Sequence, residues 1–214
     1  MDFLVDKLCD YLTKRIRHKM PEVDDERAEV INYGLHLVLG EVPKAFALLA
    51  IAYIAGVIKL TIITLLVILP YKACSGGVHL KTHIGCIIAT SIAYVGTAYI
   101  SKIIVFPELY IKYLFALVIW IFSMVMVFLY APADTENVPI LRKKERKIKK
   151  ILSYITMSVT ITAGIVIKDP IISNILIFGV LIQTISITRF IYKITNNKYG
   201  YEKYCEDNEA ENLT

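Results

Sequence analysis

The chain has 214 residues, of which 56% are hydrophobic, with a mean hydropathy of +0.57 and a formal net charge of +5. A soluble core does not need that much apolar surface, so the composition excludes an ordinary soluble enzyme and points to a membrane protein. The basic residues border apolar runs, where anionic lipid headgroups account for them, and nucleic acid is set aside as a partner.

At the start of the chain, Leu4, Leu8, Leu12 and Ile16 recur four apart, with Lys7, Lys14, Arg15 and Arg17 elsewhere around the wheel. That spacing predicts an amphipathic helix over residues 1–20, lying in the headgroup layer or packed on the rest of the protein. Asp2, Asp6, Lys7 and Asp10 interrupt every apolar stretch there, so the segment is not read as a secretory signal and the N-terminus is expected to be retained. Between Arg27 and Pro70, the breaks at Glu41, Pro43, Lys44 and Lys59 predict one long kinked span over about 29–58 and a second over about 60–71. Four further spans are predicted at about 80–100, 109–130, 151–167 and 171–191, near the roughly 20 residues that cross a hydrocarbon layer of about 30 Å. Residues 201–214 are polar and partly acidic, and are read as a flexible tail. The expected fold is thus all-α: a single polytopic membrane domain over 1–214, with about six transmembrane helices and an N-terminal amphipathic interfacial helix.

Cytoplasmic loops carry the excess of Lys and Arg. With the N-terminus inside, that side collects six such residues before residue 28, two in 71–82, seven in 131–150 and four from 189 onward. Only Lys59, Lys102 and Lys168 fall on the opposite side. An odd number of spans would dissolve this bias. The four cysteines (Cys9, Cys74, Cys86, Cys205) lie far apart with no CxxC spacing, which fits reduced thiols on a cytosolic side rather than a disulfide framework. No internal repeat is visible, which weighs against an inverted-repeat transporter.

The segment from Tyr71 to Cys86 gathers two of the four histidines and two of the four cysteines around Gly76-Gly77. The glycine pair allows the chain to leave one span, turn tightly at the surface and re-enter. A cysteine nucleophile needs thiolate character, and an adjacent imidazole is its usual activator. His79 and Cys86 are therefore candidates for a catalytic pair. On one continuous helix they would stand about 10 Å apart along the axis, so the pair requires the helix to begin after His79, near Lys81 or Thr82. Three other readings stay open at this point. Cys86 could be inert packing, Cys74 could be the nucleophile, and His79 and His83 with Cys74 and Cys86 could hold zinc, although no recognised ligand spacing is present. Cofactors and metals are not expected.

These residues resemble the accessory gene regulator B (AgrB) family of quorum-sensing membrane endopeptidases, which shows a Gly-Gly-x-His loop followed by a cysteine seven residues after the histidine. Here the match is Gly76-Gly77-Val78-His79 and Cys86. The stretch Ala131-Pro132-Ala133-Asp134-Thr135-Glu136-Asn137-Val138-Pro139, leading into a basic run, is similar to the family's Ala-Pro-x-x-x-x-Asn-x-Pro loop. The family commonly carries arginine four residues before the first glycine, where this chain has Lys72, which keeps the charge without the bidentate fork. Leu80 stands where a small residue is usual.

The resemblance implies a cysteine endopeptidase in the bacterial cell membrane that processes an AgrD-like precursor peptide toward a cyclic thiolactone. His79 and Cys86 would be catalytic. Lys72, Gly76 and Gly77 would bind substrate or shape the loop, and Lys143 and Lys144 in the basic run would attract an acidic tail of the precursor. The N-terminus and site loop would be cytoplasmic, with the precursor, membrane lipids and, by analogy of fold, a second copy of the chain as partners. A rival reading from a different class is a small transporter whose polar loop lines a pathway. A third is a sensor or scaffold without catalysis.

Overall fold

The apolar runs of this sequence become helices, and several of them begin at side-chain caps. In the computed structural model, which describes residues 2–20, 22–78, 80, 82–136 and 139–211, the chain is helical with no named strand among those residues. The helices are α1 (Asp2–Lys19), α2 (Asp25–Ile54), α3 (Ile58–Ser75), α4 (His83–Ile103), α5 (Leu109–Tyr130), α6 (Lys143–Val166), α7 (Pro170–Ser186), α8 (Arg189–Ile194) and α9 (Gly200–Glu211). Asp24 caps α2 by accepting from the Arg27 amide at 2.8 Å, Thr82 caps α4 from Gly85 at 3.2 Å, and Asp169 caps α7 from Ile172 at 2.9 Å with Pro170 just inside. Among the described residues, four helices, α2 to α5, are long and apolar enough to cross a membrane, and α7 is a shorter apolar helix. This is an all-α architecture consistent with a polytopic membrane protein.

α7 is the centre of the bundle. It packs against α3, α4, α5 and α6, and its residues from Ser173 to Val180, with Gln183 and Thr184, are buried on every side. A helix that is apolar all round belongs in such a place. Around it, Tyr71, Ile119, Val127, Met157, Ile161, Ile177 and Val180 form one core cluster, while Leu48, Ala52, Val57, Ile68, Tyr94 and Ala98 join α2, α3 and α4 in a second. Short polar side chains tie the helices together: the Tyr71 hydroxyl meets Thr184 at 3.0 Å, Thr184 meets Ser123 at 2.8 Å, and Asn174 donates to the carbonyls of Ser101 and Ile104 at the end of α4. Outward, α5 exposes Leu114, Val118, Ile121, Val125 and Phe128, an apolar surface suited to lipid.

The helix boundaries differ from the expected ones where hydropathy and helix propensity disagree. α2 starts at Asp25 and runs through Pro43 to Ile54, and the chain turns at Gly56, whose φ of +66° favours glycine. α3 continues past Pro70 to Ser75. α6 begins at Lys143, earlier than the predicted 151, because Lys, Arg and Glu are good helix formers although they end a hydropathy run; Glu145 and Lys149 pair along it at 3.3 Å. The last apolar helix stops at Ser186. The segment read as a flexible tail from residue 201 instead contains α9, because its first turn has partners in the 131–140 loop. α1 packs on α2, burying Cys9 and Thr13 and leaving Leu8 and Tyr11 exposed, with Asp10 accepting from Asn32 at 3.1 Å and Arg17 paired to Asp25 at 2.7 Å.

The closest approach of α6 to α7 depends on Gly164, where an added Cβ would lie 3.1 Å from Ile177 and 3.2 Å from Leu176. Gly164→Leu is expected to destabilise the fold by about 1–3 kcal/mol through overpacking. Gly96→Ala, which meets nothing within 4 Å, should be neutral or stabilising by up to about 1 kcal/mol. Thermal melting of both variants in the same detergent checks the contrast.

Candidate functional site

α3 ends where Gly76 (φ +74°) and Gly77 (φ +138°) take backbone conformations that other residues avoid. The chain here pairs with a distant segment, in a short parallel bridge between Gly76 and Ala133. The Ala133 amide donates to Ser75 O at 2.8 Å, and the Gly77 amide donates to Ala133 O at 2.9 Å. A Cβ on Gly76 would lie 2.2 Å from Ala133 O, so glycine is required by approach as well as by φ. From the other side, α7 holds the same turn: Gln183 Nε2 donates to Gly76 O at 2.8 Å and to Ser75 Oγ at 3.0 Å, and the Val78 amide donates to Ser186 O at 3.3 Å. The two sequence motifs singled out above, the double glycine and the Ala131-Pro132 loop, are thereby in contact.

α4 begins at His83, with Thr82 as its cap, so no continuous helix joins Gly77 to Cys86. Cys86 sits in the first turn of α4, its amide donating to Thr82 O at 2.9 Å and its carbonyl accepting from the Thr90 hydroxyl. The thiol residue is half-buried on the wall of a cavity of about 340 Å³ between α3, α4 and α7. His79 lies outside the described residues, as do Lys81, Asn137 and Val138. Its two neighbours, Val78 and Leu80, both line the cavity that Cys86 lines.

Lys72 lines the same cavity, its ammonium donating to Tyr94 Oη at 3.4 Å and lying 5.7 Å from the centre of that ring. The remaining walls are largely apolar, with Ile68, Ala89, Ile92, Ile182 and Ile185 among them. Cys74, the alternative nucleophile, is half-buried in the last turn of α3 and is not among the lining residues. Lys143 and Lys144 are exposed in the first turn of α6 and do not line the cavity either. Gln183 is not among the site residues predicted from the sequence. The structure makes it a support of the glycine turn, and the one signal available was an amide inside an otherwise apolar span.

Comparison with known proteins finds relatives along most of the chain. The family model described as accessory gene regulator B matches residues 5–187. An AgrB-like protein of Listeria monocytogenes serotype 4a (strain HCC23) is 28% identical over 203 residues, covering 94% of this chain and 95% of the relative. An AgrB-like protein of Clostridium acetobutylicum is 26% identical over 200 residues, covering 92% and 91%. The accessory gene regulator protein B of Staphylococcus intermedius is 27% identical over 157 residues, covering 73% and 80%. No solved structure matches.

Gln183→Leu removes the amide that donates to the buried Ser75 hydroxyl and to the Gly76 carbonyl, leaving that carbonyl only the long bond from Ser75 Oγ at 3.5 Å, and is expected to cost about 1–3 kcal/mol. The loss should be local, so limited proteolysis should open the chain around Gly76 and Gly77 before the bundle melts. Equal protease resistance in the variant would show that the amide does not hold the turn.

Proposed function

The chain belongs to the accessory gene regulator B family, and on that premise we propose that it is a membrane-embedded cysteine endopeptidase of a quorum-sensing system, acting on an AgrD-like precursor peptide. The observation that carries this reading is the shared cavity: Cys86 lies on its wall, and the residues on either side of His79 lie on it too, ahead of a helix that starts only at His83. An imidazole delivered by that turn can take the thiol proton as the sulfur attacks the scissile carbonyl, then return it to the leaving amine. The carbon–nitrogen bond breaks, a carbon–sulfur bond forms, and a peptidyl thioester results. A cysteine of the bound precursor then displaces Cys86, giving the cyclic thiolactone and restoring the enzyme thiol.

The other residues acquire roles in the same scheme. Gly76 and Gly77 shape the turn. Lys72 presents a positive charge to whatever occupies the cavity, and as a point charge it grips a carboxylate less directionally than arginine. Lys143 and Lys144, exposed at the start of α6, attract an acidic tail on the precursor from outside the cavity. The protein is multi-pass in the bacterial cell membrane, with its N-terminus and site loop cytoplasmic, as the distribution of Lys and Arg supports. Its further partners are lipids and a second copy of itself.

The test is co-expression with short peptides encoded beside its own gene, following peptide mass. The unaltered protein should convert one of them, Cys86→Ala should give no product, and His79→Ala should lower the rate by about 10²–10⁴-fold. Full conversion by Cys86→Ala would end the proposal. For the basic turn, Lys143→Glu with Lys144→Glu should raise KM about tenfold at low ionic strength and leave kcat near its original value, with partial rescue by a precursor bearing a basic tail.

A further inference from the structure

The loop that pairs with Gly76 is itself fastened by the last part of the chain, beyond residue 187 where the family match ends. Ala133 O accepts twice: from the Gly77 amide at 2.9 Å and from the Tyr192 hydroxyl at 3.0 Å, and the same hydroxyl lies 3.1 Å from Asp134 O. Tyr192 is 2% exposed. Its ring is stacked on Tyr199 at 4.2 Å with the planes 5° apart, and the Tyr199 hydroxyl donates to Ile187 O at 2.8 Å. Burial pushes both phenols above the ordinary tyrosine range, so both remain donors at any physiological pH.

A second set of bonds holds the same loop. The Asp134 carboxylate is fully buried, and its Oδ2 accepts from the Ile140 amide at 2.9 Å, from Arg146 at 3.0 Å and from the Tyr201 amide at 3.1 Å. Arg146 also lies 4.3 Å over the Tyr201 ring. Between these residues, α9 starts directly on the loop: a Cβ on Gly200 would be 2.3 Å from Thr135 O. Among the described residues, the tail is hydrogen-bonded to the partner of the glycine turn at the Ala133 carbonyl.

We infer that Tyr192 is a positioning residue for the proposed reaction, fixing through the Ala133 carbonyl the Gly76-Gly77 turn that delivers His79 to Cys86. The inference rests on the His79/Cys86 reading. A buried carbonyl that loses one of two donors is free to rotate toward another partner, and Gly77, bonded to it, moves with it. His79 is two residues further along the chain. A misplacement of about 1 Å in a reacting group can cost on the order of 10²-fold in rate, whereas loss of one hydroxyl from a packed tyrosine leaves most of the surrounding contacts in place.

The reactivity of Cys86 separates positioning from mere stability, because destabilisation lowers the amount of folded protein and not the reactivity of the sulfur within it. Full-length protein in phosphatidylcholine–phosphatidylglycerol vesicles is treated with iodoacetamide at pH 7, and alkylation of Cys86 is followed by peptide mass with Cys74 of the same molecule as reference. The unaltered protein should react at Cys86 faster than His79→Ala. Tyr192→Phe should lose most of that difference, a slowing of about tenfold, and should lower kcat for the precursor while KM stays within about twofold. Gly200→Ala, which keeps the phenol but forces α9 off Thr135, should slow the same sulfur. If Tyr192→Phe and Gly200→Ala both keep the original rate while His79→Ala loses it, the positioning role is overturned and the catalytic pair stands. If His79→Ala keeps the original rate, the pair fails and the positioning role falls with it.

Discussion

The arrangement of this site depends on a short pairing of backbone with backbone, between Ser75–Gly77 at the end of α3 and Ala133 in the loop after α5. Irregular chain at or near membrane depth is tolerated only where protein supplies the hydrogen bonds that lipid cannot. Here the donors of the turn are matched in sequence: Gly76 to Lys72 O, Gly77 to Ala133 O, and Val78 to Ser186 O. Its acceptors are matched as well, Ser75 O by the Ala133 amide and Gly76 O by Gln183. A turn satisfied in this way is held through both its donors and its acceptors. In the proposed scheme that property serves a segment that would bring the His79 imidazole to the Cys86 thiol across a helix boundary.

α7 makes the pairing possible by being buried along most of its length. Its middle is apolar and fills the bundle, while its last turns carry Gln183, Thr184 and Ser186 to the level of the glycine turn. The helix is shorter than its neighbours, and its end therefore lies where the polar loops collect. Gly77 uses that end closely, since a Cβ there would come 2.8 Å from Ser186 Oγ. Thus the same helix sets the packing of the core and the floor of the cavity beside Cys86.

Much of the fold was legible because hydropathy reports burial directly. The span over 109–130 coincides with α5, bounded by Pro107-Glu108 before it and Ala131-Pro132 after it. Where hydropathy and helix propensity disagree, hydropathy misplaced the boundary, as at Lys143, and it did not foresee that α3 would run on past Tyr71 to Ser75. The glycine turn and the Ala131-Pro132 loop were each visible as motifs, but not their contact, which joins residues 57 positions apart through backbone groups that every residue carries. Gln183 was visible as a polar residue in an apolar span, yet its partner Gly76 is 107 positions away. The tail was read as flexible because composition records polarity and not docking; Gly200 and Tyr201 acquire meaning only against Thr135 and Asp134. His79 enters from the sequence alone.

The placement of Cys86 also bears on why an acyl-enzyme route would suit this protein. A thioester formed in open water is exposed to hydrolysis, and a cavity walled by Ile68, Ile92, Ile182 and Ile185 limits that access. Exchange of one thioester for another has little net driving force, so the outcome depends on which nucleophile is held near the carbonyl. In the proposed scheme the precursor's own cysteine is tethered to the acyl group, and tethering confers a large effective concentration over a competing solvent molecule. Lys72 would add a charge to a largely apolar cavity, with Tyr94 as its neighbour, and an ammonium there would favour an anionic group on a bound peptide over an uncharged one. In the proposed scheme, ring closure over hydrolysis would thus follow from limited water access and tethering, with Lys72 contributing to the orientation of the peptide.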